Sequence, residues 1–411
     1  MVTENAQATD IEIIQDGSVT TPQGFSAGAV HVGVRTDWTK LDVGLVYSEK
    51  PCKAAATYTS NTLKAPPLLV TKEHLADGHA QAIVVNSGCA NASTGQLGWD
   101  NARAMAQAAA KKLGIDPEYV VVASTGVIGW QLPMERILPG IEKIELSPDG
   151  GQDFAVSIMT TDTVKKHIAV KAGAWTIGAV CKGVGMIHPN MATMLCFITT
   201  DARVRHDFLG AALKEAVDVS FNMVDIDSDT STNDMAVVLA NGLAGGEPID
   251  ASHPEAATFQ KALTLVCTSM ARAMVSDAEG GTKLIEAKVM GAATPQDARL
   301  AARAIVSSLG VKTAIYGEDA NWGRILSAIG NSGAQWAEAT AELYLAHPDG
   351  DEVCLFKEGA PQPYDAAGAK ACLAPSEVQI RADLKQGSAE ATAWGSDLTE
   401  EFVRLNSQYT T

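Results

Sequence analysis

Apolar residues in this chain cluster in short runs of four to eight, separated by stretches with helical spacing, so the pattern predicts a mixed α and β protein. Strand-like runs occupy Ala82–Asn86, Tyr119–Ser124, His167–Val170, Ala174–Val180, Thr193–Thr200, Met235–Asn241, Leu284–Val289, Ala341–Ala346 and Val378–Ala382, several of them dense in Val and Ile. Helical periodicity covers Asn101–Leu113, His206–Phe221, Pro254–Val275, Pro295–Leu309 and Trp322–Ile329, with Pro254 and Pro295 near helix starts and Gly310 just beyond an end. The order does not alternate regularly enough for a single Rossmann sheet, and no internal repeat stands out. Leu146–Asp153, Gly245–Pro254 and Gly359–Gly368 read as linkers.

Composition narrows the function classes. A chain of 411 residues with 46% hydrophobic and 19% charged residues buries a large core. Its net charge of −17 argues against nucleic acid or an anionic membrane as a partner, since both demand clustered Lys and Arg. Seven cysteines without Cys-x-x-Cys spacing point to neither a disulfide framework nor a zinc site, and suit a reducing cytoplasm. The first seventeen residues carry Glu4, Asp10, Glu12 and Asp16 and do not read as a signal peptide; no run of about twenty apolar residues suggests a membrane span.

The chemistry concentrates in Lys182-Gly-Val-Gly-Met-Ile-His-Pro-Asn-Met-Ala-Thr-Met-Leu-Cys-Phe-Ile-Thr-Thr-Asp201, where a glycine-rich turn runs into an apolar strand at Thr193. A cut between Ala192 and Thr193 leaves a threonine with a hydroxyl nucleophile and a free α-amine that serves as its base. An α-amine titrates at roughly 7.7–8.0, so a useful fraction is unprotonated near neutrality. This segment resembles the signature of the ornithine acetyltransferases, or glutamate N-acetyltransferases, of arginine biosynthesis. The similarity continues through Val85-Asn-Ser-Gly-Cys-Ala-Asn91, Ala123-Ser-Thr-Gly-Val-Ile-Gly129, Thr160-Thr-Asp-Thr163, Asp229-Thr-Ser-Thr-Asn-Asp234, Asp277-Ala-Glu-Gly-Gly281, Asn321-Trp-Gly-Arg324 and Asn406-Ser-Gln-Tyr-Thr-Thr411.

The resemblance implies an α+β, Ntn-hydrolase-like αββα architecture, self-cleaved into chains 1–192 and 193–411 that form one intertwined catalytic unit and assemble as an α2β2 heterotetramer. It implies acetyl transfer from N-acetylornithine to glutamate through an acetyl ester of Thr193, with Thr125 and Gly126 as the oxyanion hole. Substrate binding falls to Thr160, Lys182, Thr193, Glu279, Asn406 and Thr411, the choice among Thr160, Thr161 and Thr163 being open. The C-terminal end is expected to reach the site of a neighbouring subunit, anchored by Phe402 and Tyr409. Cys196 and Ala320 depart from the family pattern at positions without an assigned role.

Other patterns point elsewhere less well. Asp225-Ile-Asp-Ser-Asp begins like a calcium loop, but Thr230 and Ala236 stand where that loop needs glycine and glutamate. Gly183-Val-Gly-Met-Ile-His188 lacks the third glycine of a dinucleotide fingerprint, so no cofactor is expected, although acetyl-coenzyme A remains open as a substrate. His188 fits either a site acid or base, or a turn residue. The competing functions are an Ntn-like aminopeptidase or amidase, and a nucleotide-binding protein using Gly183–Gly185 as a phosphate cradle.

Overall fold

The computed structural model describes residues 11–37, 39–188, 194–347 and 350–408. The expectations resting on Ala192, Thr193, Tyr409 and Thr411 lie outside these residues.

The first half of the chain contributes strands β1 (Ile11–Ile14), β2 (Phe25–Val30), β3 (Val43–Tyr58), β4 (His79–Asn86), β5 (Val120–Ser124), β6 (Lys166–Ala172) and β7 (Trp175–Lys182). Its helices are α1 (Pro66–His74), α2 (Gly95–Leu113), α3 (Met134–Lys143) and α4 (Gly151–Ser157). The second half adds β8 (Leu195–Thr200), α5 (His206–Asp218), β9 (Val224–Asp225), β10 (Met235–Ala240), α6 (Ala256–Ser276), β11 (Leu284–Ala292) and α7 (Pro295–Ser307). Then follow α8 (Leu309–Tyr316), α9 (Trp322–Gly330), β12 (Glu342–Ala346), β13 (Glu352–Lys357), β14 (Ala360–Pro361), α10 (Ala366–Leu373), β15 (Glu377–Asp383), β16 (Ala389–Ser396) and α11 (Glu400–Gln408).

A nine-stranded sheet runs β1-β6-β7-β8-β10-β3-β4-β5, with β2 paired to β3. The 16-residue β3 breaks its register against β4 between Tyr47 and Cys52, around the polar Glu49-Lys50-Pro51. It is shared by two leaves that face one another: Val46, Ile83, Val85 and Val121 of one leaf join Val180, Leu195, Phe197 and Val237 of the other in a single buried cluster. Helices α1 to α3 cover the outside of the first leaf, through Val70, Met105 and Ile137. Helices α5 and α6 cover the second, through Leu213 and Phe259. The layers are therefore helix, sheet, sheet, helix, the Ntn-hydrolase-like arrangement. Strands β7, β8 and β10 are buried along their whole length, which explains runs that are continuously rather than alternately apolar. A second, seven-stranded sheet, β14-β13-β12-β15-β11-β16-β9, packs through α7 onto the same core.

Strands β8 and β10 come from the second half of the chain but lie between β7 and β3 of the first. All seven cysteines are free thiols, and among the described residues no helix is long and apolar enough to cross a membrane. The expected helix over Pro295–Leu309 ends at Ser307. Ser308 leaves the helical region and its hydroxyl caps α8 by accepting from the Val311 N–H, so Gly310 sits inside a second helix instead of ending the first.

Candidate active site

The ends of β5 and β7 and the loop before β10 meet at one cavity of about 300 Å³, whose lining includes Thr125, Gly126, Thr160, Thr161, Lys182, Asn233, Glu279 and Asn406. Each of these arrives there for a local reason. Beyond β5 the turn Ser124–Gly126 is tied to the loop after β4: the Thr125 N–H donates to the Asn86 carbonyl at 3.0 Å, and the Ser124 hydroxyl to Asn86 Oδ1 at 2.6 Å. Gly126 has φ +130°, and a Cβ there would lie 2.3 Å from the Gly88 carbonyl carbon and 2.5 Å from the Cys89 nitrogen, so only glycine fits.

Sequence reasoning missed Asn233, the clamp of this turn. Its buried amide donates to the carbonyls of Ala90 (2.7 Å) and Ser124 (2.8 Å), fastening the β4 and β5 loops together at the cavity wall. The run Ser-Thr-Asn-Asp before an apolar strand was the available signal; two buried carbonyls needing one donor group were not visible in it.

Lys182 closes β7 opposite Leu195 of β8 and is 3% exposed. Its ammonium donates to Thr125 Oγ1 at 3.1 Å. Burial holds its pKa below the ordinary lysine value, while Asp162 and Asp234 oppose that shift. With Oγ1 accepting from Lys182, the hydroxyl proton of Thr125 is free to donate elsewhere.

Behind Lys182 lies a buried ionic group. Lys166 bridges Asp162 (2.8 Å) and Asp277 (2.6 Å), and Asp162 accepts the N–H groups of Thr160 and Gly183. Burial pushes the Asp162 carboxyl up, but Lys166 and Lys182 pull it below the usual range. The Lys40 ammonium reaches the Met159 and Thr160 carbonyls at 2.7 Å each, and burial lowers its pKa to about 8. Thr160 is thus fixed by its backbone. The Thr161 hydroxyl instead donates to Glu279 Oε1 at 2.6 Å, and Thr163 is held on Asp277 outside this cavity.

Glu279 marks the opposite end. The Asn406 amide donates to its Oε2 at 3.1 Å, and α11, capped by the Thr399 hydroxyl, also sets Phe402 against the cavity. The Asn406 amide meets Glu279 of its own chain, and Gly280 (φ +66°), where a Cβ would lie 2.4 Å from the Phe402 nitrogen, lets α11 pack directly on the turn. His188 is held by Asp225, whose Oδ1 lies 2.8 Å from its Nδ1, and it does not line the cavity. Among the described residues no cluster of three potential metal ligands occurs.

Asp227 fixes the glycine turn by accepting the N–H groups of Met186 and Ile187. Burial raises its carboxyl to about 6 against the pull of those bonds. A raised carboxyl pKa means folding favours the neutral form, so this group's stabilising contribution is full below about 4 and is lost as pH rises through about 6. The melting temperature of Asp227→Asn relative to the wild type should therefore climb between pH 4 and 6 and then level off. A constant difference measured by calorimetry across that window excludes the assignment.

The ArgJ family signature extends over residues 26–411. The arginine biosynthesis bifunctional protein ArgJ of Dehalococcoides mccartyi is 46% identical over 408 residues, covering 98% of this chain and all of that protein. The protein of the same name from Symbiobacterium thermophilum is 49% identical over 402 residues, covering 96% and 99%. Among solved structures, the ornithine acetyltransferase of Mycobacterium tuberculosis complexed with ornithine is 37% identical, with a TM-score of 0.43 over 45% of this chain and all of that one.

Proposed function

Because the chain belongs to the ArgJ family of arginine biosynthesis enzymes, we propose that it is a glutamate N-acetyltransferase that moves the acetyl group of N-acetylornithine to glutamate through an ester of Thr193. The observation that carries this reading is the polarity of the cavity: a buried ammonium, Lys182, at the Thr125 turn and a carboxylate, Glu279, held by Thr161 and Asn406 at the other end. An amino acid with a free α-carboxylate and a distal amine is complementary to that pair.

The Thr193 hydroxyl attacks the acetyl carbonyl while its α-amine takes the proton. The Thr125 hydroxyl and the Gly126 N–H hold the oxyanion, and the amine returns the proton to the departing ornithine. Glutamate then enters the same cavity, its amine attacks the ester, and N-acetylglutamate leaves. Lys182 with Thr160 grips the carboxylate both substrates share; Glu279, with Asn406 and Thr411, positions the basic side chain. Acetyl-coenzyme A is a second donor in this reading, since a thioester carbonyl meets the same nucleophile, and two cleaved pairs form a cytoplasmic α2β2 enzyme.

Incubation with N-acetylornithine should yield N-acetylglutamate when glutamate is added, and little acetate when it is absent. Release of acetate at the same rate without glutamate identifies an amidase instead. Glu279→Gln should lower kcat/KM for N-acetylornithine about ten- to a hundred-fold, in line with a lost charged hydrogen bond of roughly 1.5–3 kcal/mol, and affect the glutamate half-reaction less. Equal losses in both half-reactions remove Glu279 from amine recognition.

A further inference from the structure

The two charged poles of the cavity are mounted on one short piece of backbone. Lys182 ends β7, and three residues further on Gly185 lines the cavity against Glu279. The Glu279 N–H donates to the Val184 carbonyl at 2.9 Å, which fastens the turn after α6 to this segment. Asp162 ties down the near side of the segment through the Gly183 N–H, and Asp227 the far side through the N–H groups of Met186 and Ile187.

Gly185 matters for the side chain it lacks. A Cβ there would lie 2.7 Å from both Cδ and Oε2 of Glu279 and 3.0 Å from Oε1. Carbon atoms touch at about 3.5 to 4.0 Å, so the carboxylate stands in the volume that a side chain at 185 would fill and would have to retreat by about 1 Å. Unlike Gly126, Gly185 does not have its φ in the left-handed region, so alanine is admissible to the backbone. The nearest atoms a side chain would meet all belong to Glu279. That carboxylate is committed on both oxygens, Oε1 to the Thr161 hydroxyl at 2.6 Å and Oε2 to the Asn406 amide at 3.1 Å. A displacement of about 1 Å is enough to carry such contacts beyond hydrogen-bond range.

We propose that Gly185 is a positioning residue that sets chain-length specificity: its missing side chain seats the Glu279 carboxylate and so fixes the distance from Lys182 at which the amine of the basic substrate is received. This rests on the reading of Glu279 as the partner of that amine. Two opposite charges carried on one tied-down segment act as a rule for the side chain that separates an α-carboxylate from a distal ammonium. One methylene more or less moves the ammonium by roughly 1.5 Å, the length of a carbon–carbon bond, and takes it out of register with Glu279.

The test is a double-mutant cycle of Gly185→Ala and Glu279→Asp in the cleaved enzyme. Ping-pong initial rates give kcat/KM for N-acetylornithine, for glutamate and for N-acetyllysine, the donor one methylene longer. Gly185→Ala should lower kcat/KM for N-acetylornithine about ten- to a hundred-fold, the usual consequence of an ångström's misplacement, and lower that for glutamate less. The preference for N-acetylornithine over N-acetyllysine should shrink roughly ten-fold. Aspartate draws the carboxylate back by roughly 1.5 Å, more than the overlap, so Glu279→Asp should restore part of the activity lost in Gly185→Ala although it is harmful alone. Losses that simply multiply, or an unchanged preference, overturn the proposal; so does an equal loss for both substrates, which marks a displaced turn. Should Gly185→Ala stay uncut, maturation of the double variant decides: cleavage regained with Glu279→Asp supports the clash, and its absence overturns it. Failure of the underlying reading is separately visible in Glu279→Gln alone, where equal losses in both half-reactions remove amine recognition whatever Gly185→Ala does.

Discussion

Purified protein should resolve into two fragments by intact-mass spectrometry, one beginning at Met1 and one at Thr193, and Thr193→Ala should remain a single uncut chain without transferase activity. The reason lies in how little else is available. Among the described residues the cavity lining carries the carboxylates Asp227, Asp229 and Glu279 besides an ammonium, amides and hydroxyls, but Asp227 is committed to the Met186 and Ile187 N–H groups and Glu279 to Thr161 and Asn406; His188 faces Asp225 and does not line the cavity. A hydroxyl nucleophile needs a base within hydrogen-bond reach, and the α-amine exposed by cutting Ala192–Thr193 supplies one. The proposed cut uses the same hydroxyl but not the amine, which is still a peptide nitrogen: the hydroxyl attacks the Ala192 carbonyl, its proton passes to the departing Thr193 nitrogen as the C–N bond opens to an ester and a free amine, and water hydrolyses the ester. An active preparation consisting only of full-length chain excludes the mechanism.

Thr125→Ala should lower kcat on the order of 10² to 10³, the usual cost of one oxyanion donor, with little change in KM. Lys182 holds Oγ1 from behind, so the hydroxyl is preorganised and does not turn at the moment of reaction. Gly126→Ala should lose as much activity for a different reason. At φ +130°, with backbone atoms of Gly88 and Cys89 inside 2.6 Å of any Cβ, the turn must move, and the melting temperature should fall as well. Steady-state kinetics on both variants separate the outcomes: a raised KM with unchanged kcat for Thr125→Ala makes it a ground-state contact and places the oxyanion hole elsewhere.

The strands that carry the site were legible because β5, β7, β8 and β10 are buried on both faces and read as unbroken apolar runs. The shared strand β3 was not: Glu49-Lys50-Pro51 interrupts its pattern where it passes from one leaf to the other. Helix α11 escaped for the opposite reason. It buries none of its residues, so no periodic stripe betrays it, and it is recognisable only through the Thr399 cap and its contacts with Glu279 and Gly280. The site was legible as a set of motifs, with Thr125, Gly126, Thr160, Lys182, Glu279 and Asn406 converging on one cavity. What motifs did not convey was how they hold each other: Asn233 across two loops, Asp162 beneath Thr160 and Gly183, Asp227 on the glycine turn. Apart from Asp162 with Thr160, two residues away, these are contacts between groups far apart in the chain, and no local pattern encodes them.

The insertion of β8 and β10 between β7 and β3 gives the expected cut an asymmetric thermodynamic meaning. An uncut chain closes this sheet by folding on itself, a first-order event. Once the Ala192–Thr193 bond is gone, the two pieces stay together in the native state because separating them would expose two fully buried strands and strip two ladders, β7–β8 and β10–β3, of their hydrogen bonds. After denaturation, however, the same pieces have to find each other in solution, and reassembly becomes second order in protein. The proposed maturation would therefore act as a ratchet: the enzyme would be made once, in the order precursor, fold, cut, and its durability would be governed by how slowly the sheet opens rather than by how readily it re-forms.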